Sequence, residues 1–115
     1  MLAGKYGLKG YKNFKRVEKE GKIFQSNSFG VSFFKRGDKE TSLFGFIVSN
    51  KISPDSTLRN RAKRALKEAV RLNLVRIRPG FDVIFLARQK ILRQSTEVIM
   101  REVKEALNKA DLVKY

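Results

Sequence analysis

Cysteine, histidine and tryptophan are all absent from the 115 residues, and proline occurs twice. Without thiols or imidazoles there can be no disulfide, no zinc site of the Cys/His kind, and no Ser-His or Cys-His nucleophile pair. Acid is scarce too: 11 Asp and Glu stand against 26 Lys and Arg, a formal charge of +15 at pH 7. Carboxylate-bound magnesium stays conceivable, yet most of those acids sit beside basic residues. No run of 18 apolar residues is present, and Met1–Gly10 lacks the apolar core of a signal peptide. The expectation is a cytoplasmic protein with no membrane partner and no small-molecule substrate, and not an enzyme acting alone.

The hydrophobic fraction of 42%, with nine Phe, suffices for one modest core. Residues 1–115 are therefore read as a single domain, with 1–10 a loose N-terminal arm. An excess of cations opposes compaction by self-repulsion and favours anionic partners, nucleic acid above all. The charge is also unevenly placed. Residues 1–36 hold nine basic and two acidic groups and residues 57–78 eight and one, whereas 95–115 hold four of each. Two concentrated blocks point to a binding surface more than to solubility.

The second block is a helix with two opposed faces, Thr57 to Asn73. Leu58, Ala62, Ala65, Leu66, Ala69, Val70 and Leu72 recur at three- and four-residue intervals and form an apolar stripe. Arg59, Asn60, Lys63, Arg64, Lys67 and Arg71 take the opposite arc, with Arg61 and Glu68 at one edge of it. Like charges four residues apart weaken an isolated helix by a few tenths of a kcal/mol per pair (~0.2–0.5). A polyanion held along that arc would turn the repulsion into binding energy.

Around this helix the chain reads α-β-β-(β)-α-β-α, a two-layer α/β sandwich. Gly10–Gly21 is a short helix with Tyr11, Phe14 and Val17 on one side; Phe14 is either core or a stacking platform for an unpaired base beside Lys15 and Arg16. Residues 22–36 are strand material, with an extra strand separable from them, and Ser42–Ser49 is a further strand joined to them as an antiparallel hairpin. Ser56 or Thr57 serves as N-cap of the central helix. Pro79-Gly80 turns the chain into Phe81–Ala87, a strand covered on both faces, and Ser95 caps a last helix reaching about Ala110.

At Arg59-Asn60-Arg61-Ala62-Lys63-Arg64 the sequence resembles the Arg-Asn-Arg motif of the bacterial ribonuclease P protein family, down to the Lys67-Glu68 pair that follows. Phe14-Lys-Arg-Val17 with Glu20-Gly21-Lys22 resembles that family's first helix and its exit. Phe46-Ile-Val-Ser-Asn-Lys-Ile52 resembles the strand and turn upstream of the motif, and Asp82–Arg88 resembles the last strand. These four landmarks occur in family order and span nearly the whole chain.

The resemblance implies a noncatalytic subunit of a ribonucleoprotein endonuclease, in which the ribonuclease P RNA, with Mg2+, hydrolyses the 5′ leader from precursor tRNA. It implies that Arg59, Asn60, Arg61, Lys63 and Arg64 contact the RNA subunit, and the basic arc adds Lys67 and Arg71. It places Phe14, Lys15, Ser32 and Lys51 in or near a cleft for the single-stranded leader. It also implies a left-handed β-α-β crossover through the basic helix, against the strong right-handed preference of such units. Glu18 and Ser32 stand where family members often carry aromatics, and Asn50 where they often carry Lys. A structural RNA-binding protein of the ribosomal kind, without a role in cleavage, is the competing reading.

Overall fold

Val83, Ile84 and Phe85 are consecutive, apolar and buried, so the strand that holds them needs cover on both faces and a neighbour on both edges. The computed structural model, which describes residues 2–114, meets that need by putting this strand inside the sheet. In chain order the elements are α1 (Tyr11–Glu20), β1 (Lys22–Gln25), β2 (Phe29–Lys35), β3 (Leu43–Ile47), α2 (Ser56–Asn73), β4 (Phe81–Ala87) and α3 (Thr96–Lys109). Single 3-10 turns occur at Gly4–Tyr6, Leu74–Arg76 and Gln89–Arg93. The strands are ordered β1-β2-β4-β3, with β4 antiparallel to β2 and parallel to β3.

The α/β class and the element order match the sequence reading, including the extra strand from 22–36. The expected hairpin between that region and Ser42–Ser49 does not form. β4 enters between β2 and β3, and the hairpin is instead β1–β2, turning at Ser26-Asn27-Ser28. β3 reaches its parallel neighbour β4 by way of α2.

One face of the sheet, with Phe29, Val31, Phe44, Val83 and Phe85, is covered by α2 and α3. Ala62, Ala65 and Ala69 present only methyl groups, so α2 lies close to the sheet, and Ile99, Val103 and Leu107 bring α3 onto the same core. Phe85 sits between Phe29, at 5.6 Å, and Phe46, stacked at 5.5 Å. Each such buried side chain stabilises the fold by about 1.5–3 kcal/mol. Leu58 and Leu72, read as part of the apolar stripe, lie at its margins and stay exposed.

The second face is only partly covered. α1 places Val17 over Ile84, joined by Leu8, Phe14, Phe34, Leu43 and Ile47. The expected loose arm is held here: the Leu8 amide donates to the Phe44 carbonyl at 2.8 Å and the Leu8 side chain is buried. An apolar residue at position 8 anchors the segment and shields the outer edge of β3; Met1 lies outside the described residues. Gly10, at φ +93°, makes the reversal into α1. Gly21 ends the helix where no side chain fits, because a Cβ would meet the Val17 and Phe33 carbonyl oxygens at 2.5 and 2.6 Å.

Capping departs from expectation in one place. The N-cap of α2 is Asp55, whose carboxylate accepts from the Thr57 amide at 2.8 Å, in place of Ser56 or Thr57. A carboxylate also gains from the positive end of the helix, which a hydroxyl does not. Ser95 caps α3 as expected, accepting from the Val98 amide.

Candidate nucleic-acid interface

The polar arc of α2 divides into three groups by what surrounds its residues. Asn60, Arg64 and Arg71 are exposed, and Arg71 forms a fork with Glu68 one turn back. That fork holds the Glu68 carboxyl below its usual range and raises Arg71, with the hydrogen bond the main cause in both.

Arg59 and Arg61 are tied to main-chain carbonyls. Arg59 Nη1 donates to Ser53 O at 2.7 Å, while Arg61 donates to Leu92 O at 3.1 Å and Gln94 O at 3.3 Å. These bonds fix the loop before α2 and the turn before α3 onto the helix. Lys63 and Lys67 form the third group. They are half-buried and turn toward the N-terminal segment, lining a recess of about 250 Å3 with Gly4, Gly7, Phe14 and Phe46.

Across β3 from that recess lies the uncovered part of the sheet. The register puts Ile23, Ser32, Ile84 and Gly45 in one row, and Gln25, Gly30, Leu86 and Ile47 in the next. Phe14 lies over Gly45, so close that a Cβ there would stand 2.7 Å from two ring carbons. Beyond Phe14 the floor is open: Leu86 is 47% exposed and Ser32 and Ile47 are half-buried. Lys15 is exposed, pairs with Glu18 at 3.8 Å, and its ammonium lies 5.4 Å from the Tyr11 ring centre. Lys51 is exposed in the turn just past β3, at the Ile47 end. The fold thus brings Phe14 and Ser32 to one face and sets Lys51 at its end, while Lys15 points outward from α1.

Three features escaped the sequence reading. Tyr11, expected on the apolar stripe of α1, is 75% exposed, making it an aromatic platform on the rim. Lys63 and Lys67 line the same recess as Phe14, so the basic helix and α1 border one space. And α1 is pinned by Asp82, 1% exposed at the start of β4, which accepts from Arg16 at 2.9 Å and Arg36 at 2.6 Å. An acid inside an apolar strand run was the visible signal for that last contact, since a buried carboxylate requires cationic partners.

With this geometry in place, the family model described as ribonuclease P matches residues 2–111. The chain belongs to the ribonuclease P protein family. A ribonuclease P protein component from Clostridioides difficile is 35% identical over 107 residues, covering 92% of each chain. One from Clostridium kluyveri is 36% identical over 111 residues, covering 95% of this chain and 97% of its own length. Among solved structures, the ribonuclease P protein of Staphylococcus aureus overlays with a TM-score of 0.87 at 27% identity, over 95% of this chain and 98% of that one. The Thermotoga maritima ribonuclease P protein overlays with a TM-score of 0.80 at 30% identity, over 90% and 96%.

Four of the eleven acids are committed to protein donors, which leaves them unfit to hold magnesium. Asp82 and Asp38 are taken up by Arg36, and Glu68 by Arg71; Glu102 accepts from Ser26 Oγ and from the amide and hydroxyl of Ser28. Among the described residues no three His, Cys, Asp or Glu stand together as metal ligands. No described helix is long and apolar enough to cross a membrane.

Proposed function

We propose that this chain is the protein subunit of a cytoplasmic ribonuclease P, serving 5′-end maturation of tRNA. The exposed arc of α2 binds the catalytic RNA, and the cleft beside α1 holds the single-stranded 5′ leader of precursor tRNA. Hydrolysis belongs to the RNA subunit and its Mg2+; the protein supplies cations and a surface. One observation carries the reading beyond family membership: Lys63 and Lys67 of the basic helix line the same recess as Phe14 of the cleft. Cationic groups therefore continue from the helix into the place where a single strand would lie.

Two polyanions must come together for cleavage, and their mutual repulsion is offset either by magnesium or by protein cations. The protein's contribution is accordingly largest when magnesium is low. Unpaired leader bases suit such a cleft because each has a face to stack on an aromatic ring.

The experiment is cleavage of precursor tRNA by a bacterial ribonuclease P RNA at low magnesium, with and without this protein. An Arg64→Ala/Lys67→Ala variant is the control, since neither side chain is tied to a carbonyl of another element. Stimulation by the wild type and its loss in the variant are the expected outcome. Each phosphate contact removed should also lower the slope of log K against log salt by about 0.9. Binding of that RNA without any stimulation would return the chain to the structural RNA-binder class.

A further inference from the structure

At the opposite end of the sheet from the open floor, about 16 Å along the strands, lies a second recess of some 410 Å3. Phe33, Phe34 and Phe81 line it, Ala110 and Asp111 close it from the end of α3, and Lys22, Lys35 and Glu20 stand at its rim. The pairing of β1 with β2 stops at Lys22↔Phe33, so Phe34 and Lys35 extend past the last β1 partner. Phe33 and Phe81 meet edge to face at 6.5 Å, and all three rings are half-buried. The recess is thus a rigid aromatic wall beside a strand edge, of a size that suits one small ligand group.

The cations around it form a path. Lys12, Lys15 and Lys19 share the outward face of α1, Lys22 follows directly, and Lys35 stands across the recess; all five are exposed. Among the described residues Lys12, Lys19, Lys22 and Lys35 make no ion pair. Lys12, Lys19, Lys22 and Lys35 of the first basic block therefore form a second cationic surface, separate from α2.

We propose that this recess seats an unpaired RNA nucleotide, its base against Phe33 and Phe81 and its flanking phosphates on Lys22 and Lys35. The inference rests on the reading of the chain as an RNA-binding subunit and adds a second single-strand contact to it. Stacking on aromatic rings between cations is the usual physical basis of sequence-tolerant single-strand binding. The carboxylates of Glu20 and Asp111 suit the amino groups of a base, which a site for phosphate alone would not need.

The test is an amide NMR titration of the full chain with an adenosine pentanucleotide, and with ribose 5-phosphate as the base-free probe. The pentanucleotide should shift Phe33, Phe34, Lys35 and Ala110, and ribose 5-phosphate should not. A Lys22→Glu/Lys35→Glu variant, checked for an unchanged fold by its spectrum, should weaken those shifts about tenfold or more; Lys22→Gln/Lys35→Gln should give a smaller loss. Silence at these four residues, equal shifts with ribose 5-phosphate, or shifts unaltered in the charge-reversed variant would each overturn the proposal.

Two further arms identify the source of the strand. If the variant loses affinity only for precursor tRNA with a long leader, the nucleotide is leader; if it loses affinity for the RNA subunit alone, the nucleotide belongs to that RNA. Loss of neither overturns the site. Wild-type stimulation of cleavage together with a silent recess rejects this inference alone, whereas absence of wild-type stimulation rejects the reading beneath it.

Discussion

Gly45→Ala is a single-atom test of how the cleft is built. The new Cβ would stand 2.7 Å from two ring carbons of Phe14, about 0.8 Å closer than carbon atoms ordinarily approach. Either the ring swings away or α1 lifts, at about 1–3 kcal/mol for such overpacking. Against this, replacing a strand glycine by alanine gains about 0.5–1 kcal/mol through the unfolded chain's lost freedom. The net expectation is a loss of up to about 2.5 kcal/mol. In a Phe14→Ala background the clash is gone, so the same change should become stabilising by about 0.5–1 kcal/mol. That reversal of sign is read by urea unfolding of the four proteins, provided the m-values agree. On the proposed function, Gly45→Ala should also weaken precursor tRNA relative to mature tRNA about fivefold or more, the worth of one stacked base. An equal cost of Gly45→Ala in both backgrounds would refute the claim that Phe14 is what Gly45 makes room for.

Asp82→Ala strands two guanidinium groups and should cost about 3 kcal/mol, the lower end for a broken buried pair, because Arg36 keeps Asp38 and three carbonyls and Arg16 is partly solvated; a loss below about 1 kcal/mol in urea would show that α1 is not pinned there. The Asp38 carboxyl lies below its ordinary range, chiefly through its hydrogen bonds from Arg36. Its contribution is therefore complete above the unfolded value near 3.8 and is lost as pH falls through the lowered folded one. A carbon-13 titration should find Asp38 depressed in the wild type and less so in Arg36→Ala, where the Glu40 amide, which donates to Asp38 at 3.0 Å, still favours the carboxylate.

The helices were legible because their signals are local. The three- and four-residue spacing of Ala62, Leu66, Ala69 and Val70 fixes the buried side of α2, and Ser95 marks the start of α3 within a residue. Strand order was not, because pairing is decided by partners far away in the chain. Phe29–Lys35 and Leu43–Ile47 are neighbours in sequence, yet the most apolar strand, thirty-odd residues on, takes the place between them. Its apolar residues on both faces do predict a central position; nothing local predicts which strands flank it. The site divides in the same way. That the α2 cations share an arc follows from the helical repeat, whereas the carbonyls of Leu92 and Gln94 reach Arg61 only once α3 has docked. Leu8 lies in a stretch of Gly and Lys that reads as a loose arm, and only the open side of β3 gives that one leucine a place to bury.

The two kinds of cation in α2 suit two different tasks. A guanidinium has five N–H donors in a plane, so Arg61 can commit two nitrogens to Leu92 and Gln94 and still face a phosphate with the rest. Arg59 commits one nitrogen, Nη1, to the Ser53 carbonyl and keeps the rest of its fork. An ammonium's three donors radiate from one atom, so it spans two separated carbonyls such as those of Leu92 and Gln94 less well. Where no carbonyl needs tying, at 63 and 67, lysine appears, and its long stem lets the charge reach past the N-terminal segment toward Phe14. On the proposed function, the motif's arginines hold the loops beside the interface and present charge to it as well. Alanine at 59 or 61 would loosen the fold and weaken binding together, so binding alone is better read at 64 and 67.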